Sequence, residues 1–424
     1  MYERLITGGD ITLFSPQDVP GLYDAFFQDQ DKFKEIYEKA ERMTSIRKKS
    51  VPAIELFSAF VTERKDTGRI YLMNVDHANT HGSFIEDVAP IKQSNLCCEI
   101  DLPTKPLNDI NDPDGEISLC TLSAVNWGVI KDLTEMQKVC NLAVRGLDEL
   151  LDYQDYPVLA AELSTMNRRP LGVGIINFAY WLVKHDTNYQ DPNLELVDEW
   201  AEAWSYGLIK ASNELAQEKG SCPKTMETKY GHGITPNQTY KAEVDELVKH
   251  KERMDWKGLR KQLKETGIRN STLMALMPAE TSAQISNSTN GIEPPRSYVS
   301  IKQSKHGVLK QVVPGYPYYK NKYDLLWDQK SPQGYLKIMA VLQKYIDQGI
   351  SVNTSYNPEH YEDEKVPMSV LINDILMFYK YGGKQLYYNN THDGQGEIDI
   401  NKDDADNQLA ITEIDDEDCE SCKI

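Results

Sequence analysis

Apolar positions in this chain alternate between stretches of helical spacing and short extended runs. Helical spacing from position 52 to 65 stops at Gly68, and the next seven residues, Arg69-Ile70-Tyr71-Leu72-Met73-Asn74-Val75, read as a strand. Thr134-Glu135-Met136-Gln137 has capping-box form and opens a helix with Met136, Val139, Cys140, Ala143, Leu147 and Leu150 on one side. Cys140 on that stripe is a small buried hydrophobe and takes no chemical role. A longer helix, from about 194 to 219, ends at Gly220 and turns Val197, Trp200, Trp204, Leu208 and Leu215 to the core. Ser331-Pro332 starts a helix ending near Gly349, followed by the strand Ile350-Ser351-Val352-Asn353. A last helix, from about 368 to 381, stops at Gly382-Gly383 and leads into Lys384-Gln385-Leu386-Tyr387-Tyr388. Strands separated by helices of this length imply parallel βαβ connections, hence an α/β fold. No internal repeat or Gly/Ser linker interrupts the pattern, so residues 1–390 read as one domain.

The pattern ends at position 391. Residues 391–424 hold twelve Asp/Glu and two Lys, a net −10 out of the chain's −19. Such a segment cannot bury enough apolar surface to offset chain entropy, so a flexible tail is expected. It closes on Cys419-Glu420-Ser421-Cys422, and a tethered dithiol can visit an interior disulfide and then an external reductant by thiol–disulfide exchange. Zinc would need two more Cys or His ligands, so redox shuttling is the preferred reading. The body, with interspersed charges and no basic stripe, excludes nucleic-acid binding. Met1-Tyr2-Glu3-Arg4 has no apolar signal region, and no apolar run is long enough to span a bilayer. Seven cysteines without a secretory signal indicate a reducing compartment, and a cytoplasmic location is expected.

Candidate chemistry centres on Ser94-Asn95-Leu96-Cys97-Cys98-Glu99-Ile100. If extended, this run places Asn95, Cys97 and Glu99 on one face, bringing together an amide, a thiol and a carboxylate suited to a polyhydroxylated substrate. The plainer reading is a buried strand with a polar edge. Met277-Pro278-Ala279-Glu280-Thr281-Ser282 follows an apolar run and reads as a strand, a turn and a helix start. Its free N–H groups and hydroxyls suit a phosphate, and ordinary N-capping is the alternative. Gly172-Val173-Gly174 is similar to a dinucleotide fingerprint, but Asn177 replaces the third glycine and a packing role is preferred. His77 and His81 are four apart yet follow a strand, so no metal site is assigned.

Taken together these residues resemble the large, catalytic subunit of class I ribonucleotide reductase. The resemblance rests on Ser94-Asn95-Leu96-Cys97-x-Glu99, Glu116-Ile117-Ser118-Leu119-Cys120-Thr121-Leu122-Ser123 and Leu276-Met277-Pro278-Ala279-Glu280-Thr281-Ser282. It extends through Ser286-Asn287-x-Thr289-Asn290-Gly291-Ile292-Glu293-Pro294-Pro295-Arg296, Leu386-Tyr387-Tyr388-Asn389 and the terminal Cys pair. It implies one half of a ten-stranded α/β barrel, with the radical cysteine on a finger loop. It implies that Cys97 becomes a thiyl radical that takes hydrogen from C3′ of the ribose of a ribonucleoside diphosphate. Glu99 would be general base on the 3′-hydroxyl and Asn95 would hydrogen-bond substrate. Cys120 would be half of the reducing dithiol, and Glu280, Thr281 and Ser282 would hold the substrate's phosphate. Tyr387 and Tyr388 would relay the radical from a separate metal-containing (di-iron) small subunit, with Tyr387 nearer Cys97, so this chain would bind no cofactor of its own. Cys419 and Cys422 would re-reduce the spent site and be reduced in turn by thioredoxin or glutaredoxin.

Three departures shape the expectation. Cys98 stands where an apolar residue is expected, and alternation favours Cys97 as the radical site. The tail pair is spaced more tightly than in the family's bacterial members. The family's large subunits are also about twice this long. The N-terminal half, with the partner of Cys120, is therefore expected in trans, and the chain alone is expected to be inactive, whether truncated or one product of a split gene. A non-catalytic fragment that binds the small subunit or thioredoxin is the alternative. A thiyl-radical enzyme with another initiator is a third reading, disfavoured by the tyrosine pair.

Overall fold

A computed structural model describes residues 1–304 and 307–392; the expected acidic tail from 393 onward, with Cys419 and Cys422, lies outside the described residues. Strand Leu122–Asn126 pairs in parallel with Gly172–Ile176, and Val173 bridges Met274 in parallel. Leu276 bridges Ile350 in parallel, and Thr354–Tyr356 pairs in parallel with Asn389–Thr391. Helices Leu133–Tyr153, Leu194–Lys219, Gln333–Gln343 and Met368–Lys380 occupy the connections between these successive segments. This is the α/β arrangement expected from the alternating periodicities, with short parallel strands of which Gly172–Ile176 is wholly buried. Among the described residues no helix is long and apolar enough to cross a membrane.

The long helices form where the sequence places them, because each carries a wide apolar face and a clear stop. Helix Ala53–Thr67 ends on Gly68, whose φ of 72° is the left-handed conformation that a side chain disfavours. Helix Leu194–Lys219 is capped by the Asn193 side chain, which accepts from the Leu196 N–H. The 133–153 helix starts earlier than the Thr134 box suggests. Its cap is Asp132, which accepts from the N–H groups of Thr134 and Glu135, while Glu135 reaches back to the Lys131 N–H. The expected box at Thr134 does not form: the cap lies two residues earlier, and the Glu135 carboxylate accepts from the residue before that cap. Its buried stripe is Met136, Cys140, Val144, Leu147 and Leu151, and Leu150 faces solvent.

The strands depart further from expectation. Only Leu72–Met73 of the 69–75 run is a strand, antiparallel to Gln385–Leu386, and Val75–Thr80 is helical. The junction is set by tertiary bonds of Asn74, whose side-chain amide donates to Gly383 O while its N–H donates to Lys384 O. The expected helix up to Gly349 ends at Gln343, because the buried Asp347 carboxylate accepts from the N–H groups of Leu273 and Met274. The 350–353 strand reduces to one bridge at Ile350, and the ladder resumes at Thr354. Asn353 interrupts it, its side-chain oxygen accepting the Tyr388 N–H. Gly172 and Gly174 lie inside a wholly buried strand, where an added Cβ would meet Leu122 or the Met277 sulfur at 2.6 Å. They serve close strand packing, in neither a turn nor a phosphate loop.

Candidate active site

The 94–100 run is a turn, which corrects the extended reading. The Cys98 N–H donates to Asn95 O at 3.1 Å, and Cys98 has a φ of 63°. The Asn95 side-chain oxygen accepts from the N–H groups of Glu99 (3.0 Å) and Ile100 (3.1 Å), and its amide donates to Glu99 Oε1 at 2.8 Å. Asn95 and Glu99 are thus brought together by the closing of a loop, where alternation along a strand was expected to do it. The base of the loop is fastened by Ser94 Oγ donating to Ile100 O and by a two-way bond between the Asn79 side chain and the Ile91 backbone. Its tip rests on the parallel segment at 349–351. The Gly349 N–H donates to Glu99 O at 2.8 Å, and Ser351 Oγ lies within bonding distance of both Cys97 O and Glu99 Oε2. A Cβ at Gly349 would collide with the Gln385 side chain and approach Cys98 O to 3.0 Å, so the loop can sit here only over glycine.

Cys97 and Cys98 separate by direction. The Cys97 sulfur lies 3.7 Å from the Tyr387 hydroxyl. The Cys98 sulfur turns back toward Leu96 O, and burial pushes its thiol up to about 12. Tyr387 is buried and Tyr388 half-buried, with ring centroids 4.0 Å apart. Tyr71 packs on both, at 4.8 Å from Tyr387 and 5.6 Å from Tyr388. A chain of aromatic rings therefore ends at the Cys97 thiol. On the other side of the loop, the exposed Cys120 sulfur lies 3.8 Å from the Asn95 amide nitrogen, just ahead of strand Leu122–Asn126.

Electrostatics favour a proton acceptor at Glu99. The residue is 2 % exposed, and burial raises its carboxyl to about 6 against the opposing hydrogen bonds from Asn95 and Ser351. A carboxylate near neutrality, hydrogen-bonded but able to accept a proton, suits general-base work. Beneath the loop, the buried Lys384 ammonium donates to the carbonyls of His81, Ile346, Asp347 and Gln348. Burial lowers the affinity of Lys384 for its proton, and nearby Asp101 and Asp347 oppose that shift.

Other expected residues stand apart. Glu280, Thr281 and Ser282 are exposed at the start of helix Glu280–Ile285. No side chain caps that helix from its N-cap, Ala279; the Asn290 side-chain oxygen accepts from the N–H groups of Ala279 and Glu280. Among the described residues these three share no hydrogen bond with the finger loop. His77 and His81 are buried and turned to protein partners, His81 to Thr239 Oγ1 and Gln343 O, and His77 to Gly383 O. Among the described residues no cluster of three or more His, Cys, Asp or Glu is placed to hold a metal ion. Cys140 is buried on helix Leu133–Tyr153, and Cys222 is buried in the irregular segment after helix Leu194–Lys219. The sequence reading passed over Ser351, Gly349 and Tyr71. Only Ser351 carried a signal, as a polar residue beside Asn353 on one face of an otherwise apolar run.

A family model described as "Ribonucleotide reductase, barrel domain" matches residues 1–389. The chain is 56 % identical over 406 residues to the ribonucleoside-diphosphate reductase subunit alpha of Haemophilus influenzae, covering 96 % of this chain and 54 % of that protein. It is 55 % identical over 427 residues to the ribonucleoside-diphosphate reductase 1 subunit alpha of Escherichia coli, covering 100 % of this chain and 55 % of that protein. Against the subunit alpha of Enterobacteria phage T4 it is 45 % identical over 432 residues, with the same coverage of 100 % and 55 %. The chain spans about half the length of the curated relatives it matches. With that match running through the finger loop and the tyrosine pair alike, this chain belongs to the ribonucleotide reductase family, as barrel-domain sequence of the class I large subunit.

Proposed function

We propose that this chain forms the radical-bearing part of the active site of a ribonucleoside-diphosphate reductase. The observation that carries the reading is the approach of the Tyr387 hydroxyl to the Cys97 sulfur at 3.7 Å, with the Tyr388 ring packed against Tyr387 at a tilt of 46°. In this reading an electron leaves Cys97 along the tyrosines and its proton is taken up locally, leaving a thiyl radical. That radical takes the hydrogen atom from C3′, and Glu99 takes the proton of the 3′-hydroxyl while Asn95 holds the substrate. The 2′-hydroxyl leaves as water, Cys120 and a second thiol supply the two electrons and become a disulfide, and Cys97 returns the hydrogen to C3′. The second thiol would come from large-subunit sequence outside these residues, since Cys140 and Cys222 are buried elsewhere. Glu280, Thr281 and Ser282 would hold the diphosphate.

The radical would come from a metal-containing small subunit, and Cys419 with Cys422 would pass electrons from thioredoxin or glutaredoxin. The names of the relatives, all alpha subunits of diphosphate reductases, support a small-subunit partner and nucleotide substrates. The test is deoxyribonucleoside diphosphate formation by this chain mixed with the remaining large-subunit sequence and a radical-loaded small subunit. Activity is expected only from the complete mixture. Turnover by this chain and the small subunit alone would refute the shared pocket, and no turnover from the complete mixture would refute the assignment.

A further inference from the structure

Adjacent residues of an extended strand point their side chains to opposite faces, and their carbonyls alternate likewise. Tyr387 and Tyr388 break that rule, with ring centroids 4.0 Å apart. The break falls between strands Gln385–Leu386 and Asn389–Thr391, which pair with different partners, so the two tyrosines lie between two ladders. At the same two residues one guanidinium gathers both carbonyls. Arg64 Nη1 donates to Tyr387 O at 2.7 Å and Arg64 Nη2 to Tyr388 O at 3.1 Å. The fork also reaches Ile70 O, one residue ahead of Tyr71, and lies 3.5 Å from Thr354 Oγ1.

Arg64 projects from helix Ala53–Thr67 and is 1 % exposed. Burying a guanidinium is costly unless its donors are used, and here they are spent on the backbone oxygens of Ile70, Tyr387 and Tyr388. None of the ion pairs among the described residues includes it, so a role as half of a structural salt bridge does not account for it. The end of the same helix is stitched to the same segment, with the Asn389 N–H donating to Gly68 O at 2.9 Å.

We propose that Arg64 is a positioning residue for radical transfer: its fork turns the carbonyls of Tyr387 and Tyr388 toward one point and so holds two sequence-adjacent rings in close, tilted contact. A lysine cannot replace it, because a single ammonium lacks the planar pair of donors that fixes two carbonyls at once. This inference rests on the proposed relay reading of the two tyrosines.

The test uses the assembled enzyme with a readily oxidised tyrosine analogue, 3-aminotyrosine, at position 388 or 387, and follows the trapped radical by electron paramagnetic resonance. In the Arg64 background both positions should trap. In R64K and R64M, trapping at 388 should persist and trapping at 387 should fall at least tenfold. In R64K without the analogue, kcat should fall with KM for the nucleotide unchanged. Equal trapping at both positions in R64K would overturn the proposal, as would a rise in KM with kcat unchanged. If R64M does not fold, R64K decides. Absence of trapped radical at either position with Arg64 intact would instead count against the relay reading itself.

Discussion

Replacing Glu99 by Gln separates the chemistry of the carboxylate from its structural role. The amide is isosteric, and its oxygen can still accept from the Asn95 amide that now lies 2.8 Å from Glu99 Oε1, so the turn should survive. The native carboxyl is raised by burial from 4.5 to about 6. It is therefore about nine-tenths ionised at pH 7, half at pH 6 and a tenth at pH 5. Activity that needs the carboxylate is lost as pH falls, so wild-type kcat/KM should show an acid limb centred near pH 6. The glutamine variant should lose about 10²–10⁴ in rate, the usual worth of a positioned base, and should lose that limb. Stability runs the other way. A raised carboxyl binds its proton more tightly in the folded state, so its contribution is most favourable below about pH 4.5 and is lost as pH rises through about 6. The displacement corresponds to about 2 kcal/mol against the ionised form at high pH. At pH 8 the variant should thus be no less stable than wild type in chemical denaturation. Retention of more than a tenth of the rate, or persistence of the acid limb in the variant, would refute the assignment of Glu99 as base.

Cys97→Ser should abolish product formation, whereas Cys98→Ser should keep a large fraction of it, because the Tyr387 hydroxyl bonds the Cys97 sulfur while the Cys98 sulfur bonds Leu96 O; steady-state assays of the two variants check this. Gly349→Ala should destabilise the chain by about 1–3 kcal/mol through overpacking and displace the finger loop, seen as a lowered denaturation midpoint together with lost activity. A Cys419→Ser/Cys422→Ser double variant should still complete a single turnover but fail in multiple turnover with thioredoxin, and dithiothreitol should restore part of the rate. Unimpaired steady-state turnover would show that the terminal pair is not the shuttle.

The long helices were legible in the sequence because an amphipathic face repeated over several turns is a strong local signal. The parallel strands were not, because segments of three to five residues are too short to show a period and their limits are set by partners elsewhere. The trio Asn95, Cys97 and Glu99 was found for a reason the structure replaces: a turn closed by the Asn95 side chain joins them. The preference for Cys97 over Cys98 stands on sulfur direction, since alternation does not apply to a turn. The tyrosine pair stood out as a dipeptide, but the guanidinium that bonds both of its carbonyls comes from Arg64, 323 positions away in sequence. Ser351 and Gly349 likewise meet the finger loop only once the parallel segments are assembled.

The most direct measurement follows the fate of the hydrogen on C3′. A ribonucleoside diphosphate carrying deuterium at C3′ is turned over by the assembled enzyme, in competition with the unlabelled substrate, and the isotope effect on kcat/KM is read for the wild type and for the C97S variant. A normal isotope effect with Cys97, and neither product nor C3′ exchange in the C97S variant, is the expected result. Breakage of the C3′–hydrogen bond by the C97S variant would show that the radical at the substrate does not come from this thiol.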